Sequence, residues 1–184
     1  MSLGAPQGRK VSTGRIRVDA ARAIAKLREY QLPDRTAWVL EAIRAAVAAN
    51  AESIELQGDA NDVWLSWQGP PWQEEILVRL LDELVSPEPG RQGQHLRLLA
   101  TAINSALGLN PVYVDVYALA QDGGARRVRY TPEVLRTPND DDERPALELL
   151  SAVDVEAPDR GSGPGMLVHV RRRSGLETLG NFLR

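Results

Sequence analysis

Glu41 is the side chain in this sequence best suited to chemistry, a carboxylate on a stretch otherwise rich in alanine (Ala42, Ala45, Ala46, Ala48). A carboxylate so placed can polarise a water molecule as a general base, or it can be an ordinary solvated or capping group if no metal or phosphate lies beside it. His95 and His169 are the only histidines and there is no cysteine, which excludes a disulfide framework, a thiolate metal site and a structural zinc. No metal ligands are expected. Gly161-Ser-Gly-Pro-Gly165 has the glycine content of a phosphate loop, but it precedes an apolar run of strand type instead of a helix, and its proline has no N–H to donate. It reads as a turn. Arg171-Arg-Arg173 can be a phosphate contact or a solvated strand edge that discourages sheet-to-sheet association, and the second fits three arginines at a strand end. His95, next to a helix start, reads as a surface residue. Nucleophile-elbow, zinc-protease and Walker sequences are all absent, which removes the commonest hydrolase and kinase chemistries.

The elements that must position these residues follow from periodicity. Val18, Ala21, Ile24, Ala25 and Leu27 predict a helix over 20–29 with Asp19 as its cap. Asp34 can cap a second helix whose apolar face is Val39, Leu40, Ile43 and Val47, ending at Asn50. Ser53–Gln57 and Val63–Trp67 alternate around the turn-forming Gly58-Asp-Ala-Asn-Asp62, so they form a hairpin. Strand parity puts Val63, Leu65 and Trp67 on one face, which makes Trp67 a core residue and leaves Trp72 as a partly exposed contact. Ile76, Leu77, Leu80, Leu81 and Leu84 predict a helix over 72–85, and a fourth helix runs over 92–107 to Gly108. Strands follow over 112–117 and 126–130. A last strand pair, 147–155 with 166–171, precedes a closing helix over 176–183.

The order of these segments carries a family resemblance. Glu41, the hairpin, the loop Trp67-Gln-Gly69-Pro-Pro-Trp72 and the segment Gly93-Gln-His-Leu96-Arg-Leu98 fall in the order and spacing of a nucleotide-binding domain. The chain resembles the N-terminal domain of the ninety-kilodalton heat-shock chaperones, within the GHKL ATPases that share the Bergerat fold. The resemblance implies an α+β two-layer sandwich, with a mostly antiparallel mixed sheet and helices packed on one face. It also implies which positions would face a nucleotide. Glu41 matches the family's water-polarising glutamate, but Ala45 stands at the Mg2+-ligating asparagine and Ala48 at the aspartate of that motif. Trp67 replaces the adenine-binding aspartate, and only Gly69 of that motif's glycines is kept. Gly93 is one phosphate-loop glycine of three, with Leu96 and Leu98 at the other two. Met166, after Gly165, replaces the threonine near the last strand.

If each lost ligand or hydrogen bond costs about 1.5–3 kcal/mol, three such losses weaken binding by roughly a thousandfold to a millionfold. The resemblance therefore implies a chaperone-like module with a degenerate ATP site that works through protein partners or clients, with no cofactor. The alternative is a divergent ATPase using ATP and Mg2+ with Glu41 as base. A third reading is a surviving cavity between helices and sheet that takes a smaller or more apolar ligand. Residues 1–14 read as a flexible leader and 15–184 as a single domain with an acidic loop at 137–145. The 43% hydrophobic and 26% charged composition fits a cytoplasmic globular protein. No run approaches the roughly 20 apolar residues of a membrane span. Lysine occurs only at Lys10 and Lys26 among twenty-two basic residues, and the net charge is -3, so neither membrane nor nucleic acid is an expected partner.

Overall fold

Alanine decides how the helical layer is built. A computed structural model of the chain describes residues 20–30, 34–70, 72–86, 93–121, 124–132, 147–151, 155 and 163–173. The leader, the Asp19 cap, the acidic loop and the closing helix lie outside the described residues. Helix α1 spans Ala20–Tyr30, α2 Trp38–Ala48, α3 Glu74–Val78 and α4 Gln94–Leu107. In α2 the buried face is Trp38, Ala42, Ala45 and Ala46, whereas Leu40 and Val47 are 60% and 63% exposed. This corrects the expected apolar face. The reason is close helix packing: α2 lies along α4, whose buried side includes Ala100, Ala102 and Ala106, and small side chains let the two backbones approach while bulky ones turn outward. Val39 and Ile43 are partly buried against the core.

Asp34 caps a 3-10 turn, Arg35–Ala37, that leads into α2: its Oδ1 accepts from the backbone N–H of Thr36 at 2.9 Å and from the Thr36 hydroxyl at 2.7 Å. Asn50 ends the helical segment in the left-handed region, at φ 58°. The helix expected over 72–85 is split into α3 and a 3-10 segment, Leu80–Leu84. The apolar stripe survives the split because Leu77, Leu80, Leu81 and Leu84 are all buried, and spacings of three suit the tighter turn.

The sheet has six strands: β1 Ser53–Gly58, β2 Asp62–Gln68, β3 Tyr113–Leu119, β4 Ala125–Tyr130, β5 Leu147–Leu150 and β6 Gly165–Arg171. Their order is β1-β2-β6-β3-β4-β5, and each pairing among described strands is antiparallel. The expected last strand pair is corrected: β5 pairs with β4 at the edge, while β6 enters the centre between β2 and β3. Helices cover one face, so the architecture is the α+β sandwich anticipated above. The main core lies between α2, α4 and the strand residues Leu65, Trp67, Val114, Val116, Met166, Val168 and Val170. Tyr117, Leu119, Ala125, Val155 and Leu167 form a smaller apolar cluster on the other face. No helix among the described residues is long and apolar enough to cross a membrane.

Candidate functional site

Strand parity carries Trp67 into the core, where it is 4% exposed and directly opposite Met166 across the β2–β6 ladder. Trp67 packs edge-to-face with Trp72 at 6.1 Å, and Trp72 with His95 at 5.1 Å. His95 is therefore part of this aromatic row, not a simple surface residue, and burial lowers its pKa against the opposing charge of Glu83. Ala45, Trp67 and Met166 belong to one apolar cluster, with Leu96 and Leu98 of α4 partly buried against it.

The remaining candidates lie around that cluster. Glu41 sits on the first turn of α2, largely sheltered, and its Oε1 accepts from Arg44 Nη1 at 2.8 Å. Ala48 is exposed at the end of α2, and Gly93 precedes the first turn of α4. Gly69 follows β2 and donates its N–H to the Pro164 carbonyl at 3.1 Å. Gly165 is required by close approach: a Cβ there would stand 2.1 Å from the Trp67 carbonyl oxygen. Taken together, the positions that the family resemblance would assign to a nucleotide pocket present methyl and isobutyl groups, an indole that only donates and a weakly accepting thioether.

Periodicity gave no sign of a polar network on the opposite face of the sheet. Asp115 is fully buried and accepts a two-pronged contact from Arg129, at 2.8 and 2.7 Å, while Arg127 lies 3.7 Å away and pairs with Glu148. Hydrogen bonding to Asp115 raises the Arg129 pKa further, so the guanidinium keeps its charge. Tyr117 donates to Asp115 at 3.1 Å, and burial pushes its own pKa up. Alongside, His169 Nε2 lies 2.7 Å from Asp62, its ring stacked on Trp64 at 5.0 Å and edge-on to Tyr113 at 5.4 Å. Arg129 lies over the Tyr113 ring at 3.8 Å.

The arginine run is corrected by the same geometry. β6 is a central strand, so Arg171 is no guard of a sheet edge. Its Nη1 contacts Asp62 at 2.5 Å, Arg172 donates to the Asp59 carbonyl at 3.3 Å, and Arg173 donates to the Asn110 carbonyl at 3.2 Å. The signal available in sequence was the placement of Asp62, Asp115, Arg127, Arg129 and His169 at alternate strand positions. Without the strand order their mutual proximity was not readable.

The fold is an α+β sandwich of the Bergerat type. Among solved structures, the chain is similar to the B subunit of DNA gyrase from Myxococcus xanthus, with a TM-score of 0.54 and 17% identity over 82% of this chain and 43% of that one. It is also similar to the N-terminal domain of a DNA repair protein, with a TM-score of 0.48 and 15% identity over 89% of this chain and 42% of that one. The chain thus spans less than half the length of either structure. At these identities the likeness bears on fold alone. No family model matches the sequence, and no curated protein matches it.

Proposed function

We propose that this chain is a GHKL-fold module that no longer hydrolyses ATP and acts through protein contacts in a chaperone-like role. The observation that carries the reading is the burial of Ala45, Trp67 and Met166 in one apolar cluster, with Leu96 and Leu98 packed against it. An alanine methyl cannot ligate Mg2+, and an indole cannot accept the hydrogen bond an adenine amino group offers. The residues at these positions do not fit a magnesium nucleotide. Leu40 and Val47, seven residues apart on the outer side of α2, are exposed apolar side chains of the kind protein contacts use.

The competing reading, an ATPase with Glu41 as base, draws on the sheltered position of that carboxylate. Phosphate release separates the two. Under the non-catalytic reading, the wild type and Glu41→Gln release phosphate from Mg-ATP at the same background rate. Release by the wild type that Glu41→Gln abolishes would instead establish the ATPase.

A further inference from the structure

A cavity lies at the other end of the sheet from Trp67. It has a volume of about 550 Å3, within the roughly 300–1,000 Å3 range of small-molecule sites. Its walls come from the start of α2 (Trp38, Val39), from the directly paired Val63 and Val170, and from the loop after α4 (Leu109, Pro111). Val63 precedes Trp67 by four residues on β2, a separation of about 13 Å at about 3.3 Å per residue. This concavity therefore opens at the far end of the same apolar cluster, away from Trp67.

Its polar groups are few, and the charged ones are of one sign. Thr36 and Asn110 contribute a hydroxyl and an amide, Arg172 and Arg173 contribute two guanidinium groups, and no carboxylate is among the lining residues. The nearby Asp59 carboxylate is engaged by the backbone N–H groups of Asn61 and Asp62, at 2.7 and 2.8 Å, and only its carbonyl oxygen meets Arg172. Arg172 makes no ion pair within 4 Å among the described residues, the Asp59 carboxylate acts on it only at longer range, and it lines the cavity. The backbone that places it is firmly held, because the Arg172 N–H donates to the Asn61 carbonyl at 2.6 Å.

We propose that this cavity binds a small apolar molecule carrying one carboxylate. The hydrocarbon body would lie against Trp38, Val39, Val63 and Val170, with its carboxylate toward Arg172. An apolar body gains from leaving water, and a planar guanidinium recognises a carboxylate through paired hydrogen bonds. A cationic amphiphile would meet like charge at the rim, and a neutral one would gain only the apolar part.

Calorimetric titration of the full chain with octanoate, 1-octanol and octylamine tests this. Octanoate should bind saturably, octanol about tenfold more weakly and octylamine not at all. In Arg172→Gln, octanoate affinity should fall about tenfold, to near that of octanol, while octanol is unchanged. Trp38→Phe should keep calorimetric binding but lose the octanoate-induced change in tryptophan fluorescence, which locates the ligand. Circular dichroism and thermal melting establish that each variant is folded. Absence of saturable octanoate binding, or octanoate binding unaffected by Arg172→Gln, would overturn the proposal.

Discussion

Asp115 shows how much a single side chain can hold in this sheet. It is fully buried and serves Arg129 through two hydrogen bonds and Tyr117 through a third, so Asp115→Asn leaves a guanidinium without its counter-charge. The expected loss is about 3 kcal/mol, toward the lower end for breaking a buried pair because Arg129 is itself partly exposed, and urea unfolding midpoints would measure it. Gly165→Ala should cost about 2–4 kcal/mol by the same measurement, since the added methyl meets the Trp67 backbone and no flexible side chain can move aside. Tyr130 gives a pH test. Burial raises its pKa, and its hydroxyl donates to the Leu77 carbonyl at 2.6 Å. The folded state then holds the proton more tightly than the unfolded chain, so its contribution to stability is complete below the unfolded value of about 10 and declines as pH rises past it. Stability measured from about pH 8 to 11 should fall less steeply in Tyr130→Phe than in the wild type, although the variant starts lower by about 1 kcal/mol. Parallel profiles would refute the assignment. At this scale the sequence was readable for Trp67, whose strand parity put it in the core. It was not readable for Asp115 or His169, because alternation along one strand cannot say which residues of another strand lie opposite.

At the scale of elements, α1 is tied to α4 by one amide. Asn104 is fully buried, its Nδ2 donates to the Ile24 carbonyl at 3.2 Å, and its Oδ1 accepts from Arg28 Nε at 3.1 Å. Asn104→Leu removes both bonds and leaves the Ile24 carbonyl without this donor, so α1 should open more readily while α2 and α4 keep each other's company. Amide hydrogen exchange is expected to rise across residues 20–30 with little change in 38–48. A uniform rise over all helices would show that Asn104 supports the whole core instead. Helix existence was legible in the sequence, since α1, α2 and α4 lie close to where apolar spacing put them. The orientation of α2 was not. Its bulky residues and its alanines both recur at helical spacing, and only the presence of α4, with its own alanines, decides that the small face goes inward.

For the whole molecule, layer architecture was more legible than strand order. Pairs of helices separated by alternating segments imply helices on one face of an antiparallel sheet. The entry of β6 between β2 and β3 is a long-range pairing set by the fit of Gly165 against β2 and of Met166 and Val168 into the core, which local patterning does not encode. That insertion brings Met166 beside Trp67 and closes the apolar cluster at the positions that the family resemblance would assign to a nucleotide pocket. The central claim, that this scaffold no longer takes a magnesium nucleotide, is tested most directly by calorimetric titration of the chain with ATP and with ADP in the presence of Mg2+. The expected result is no saturable heat with ligand raised to about 1 mM. Saturable binding with a Kd tighter than about 100 µM, worth roughly 5.5 kcal/mol, would contradict it.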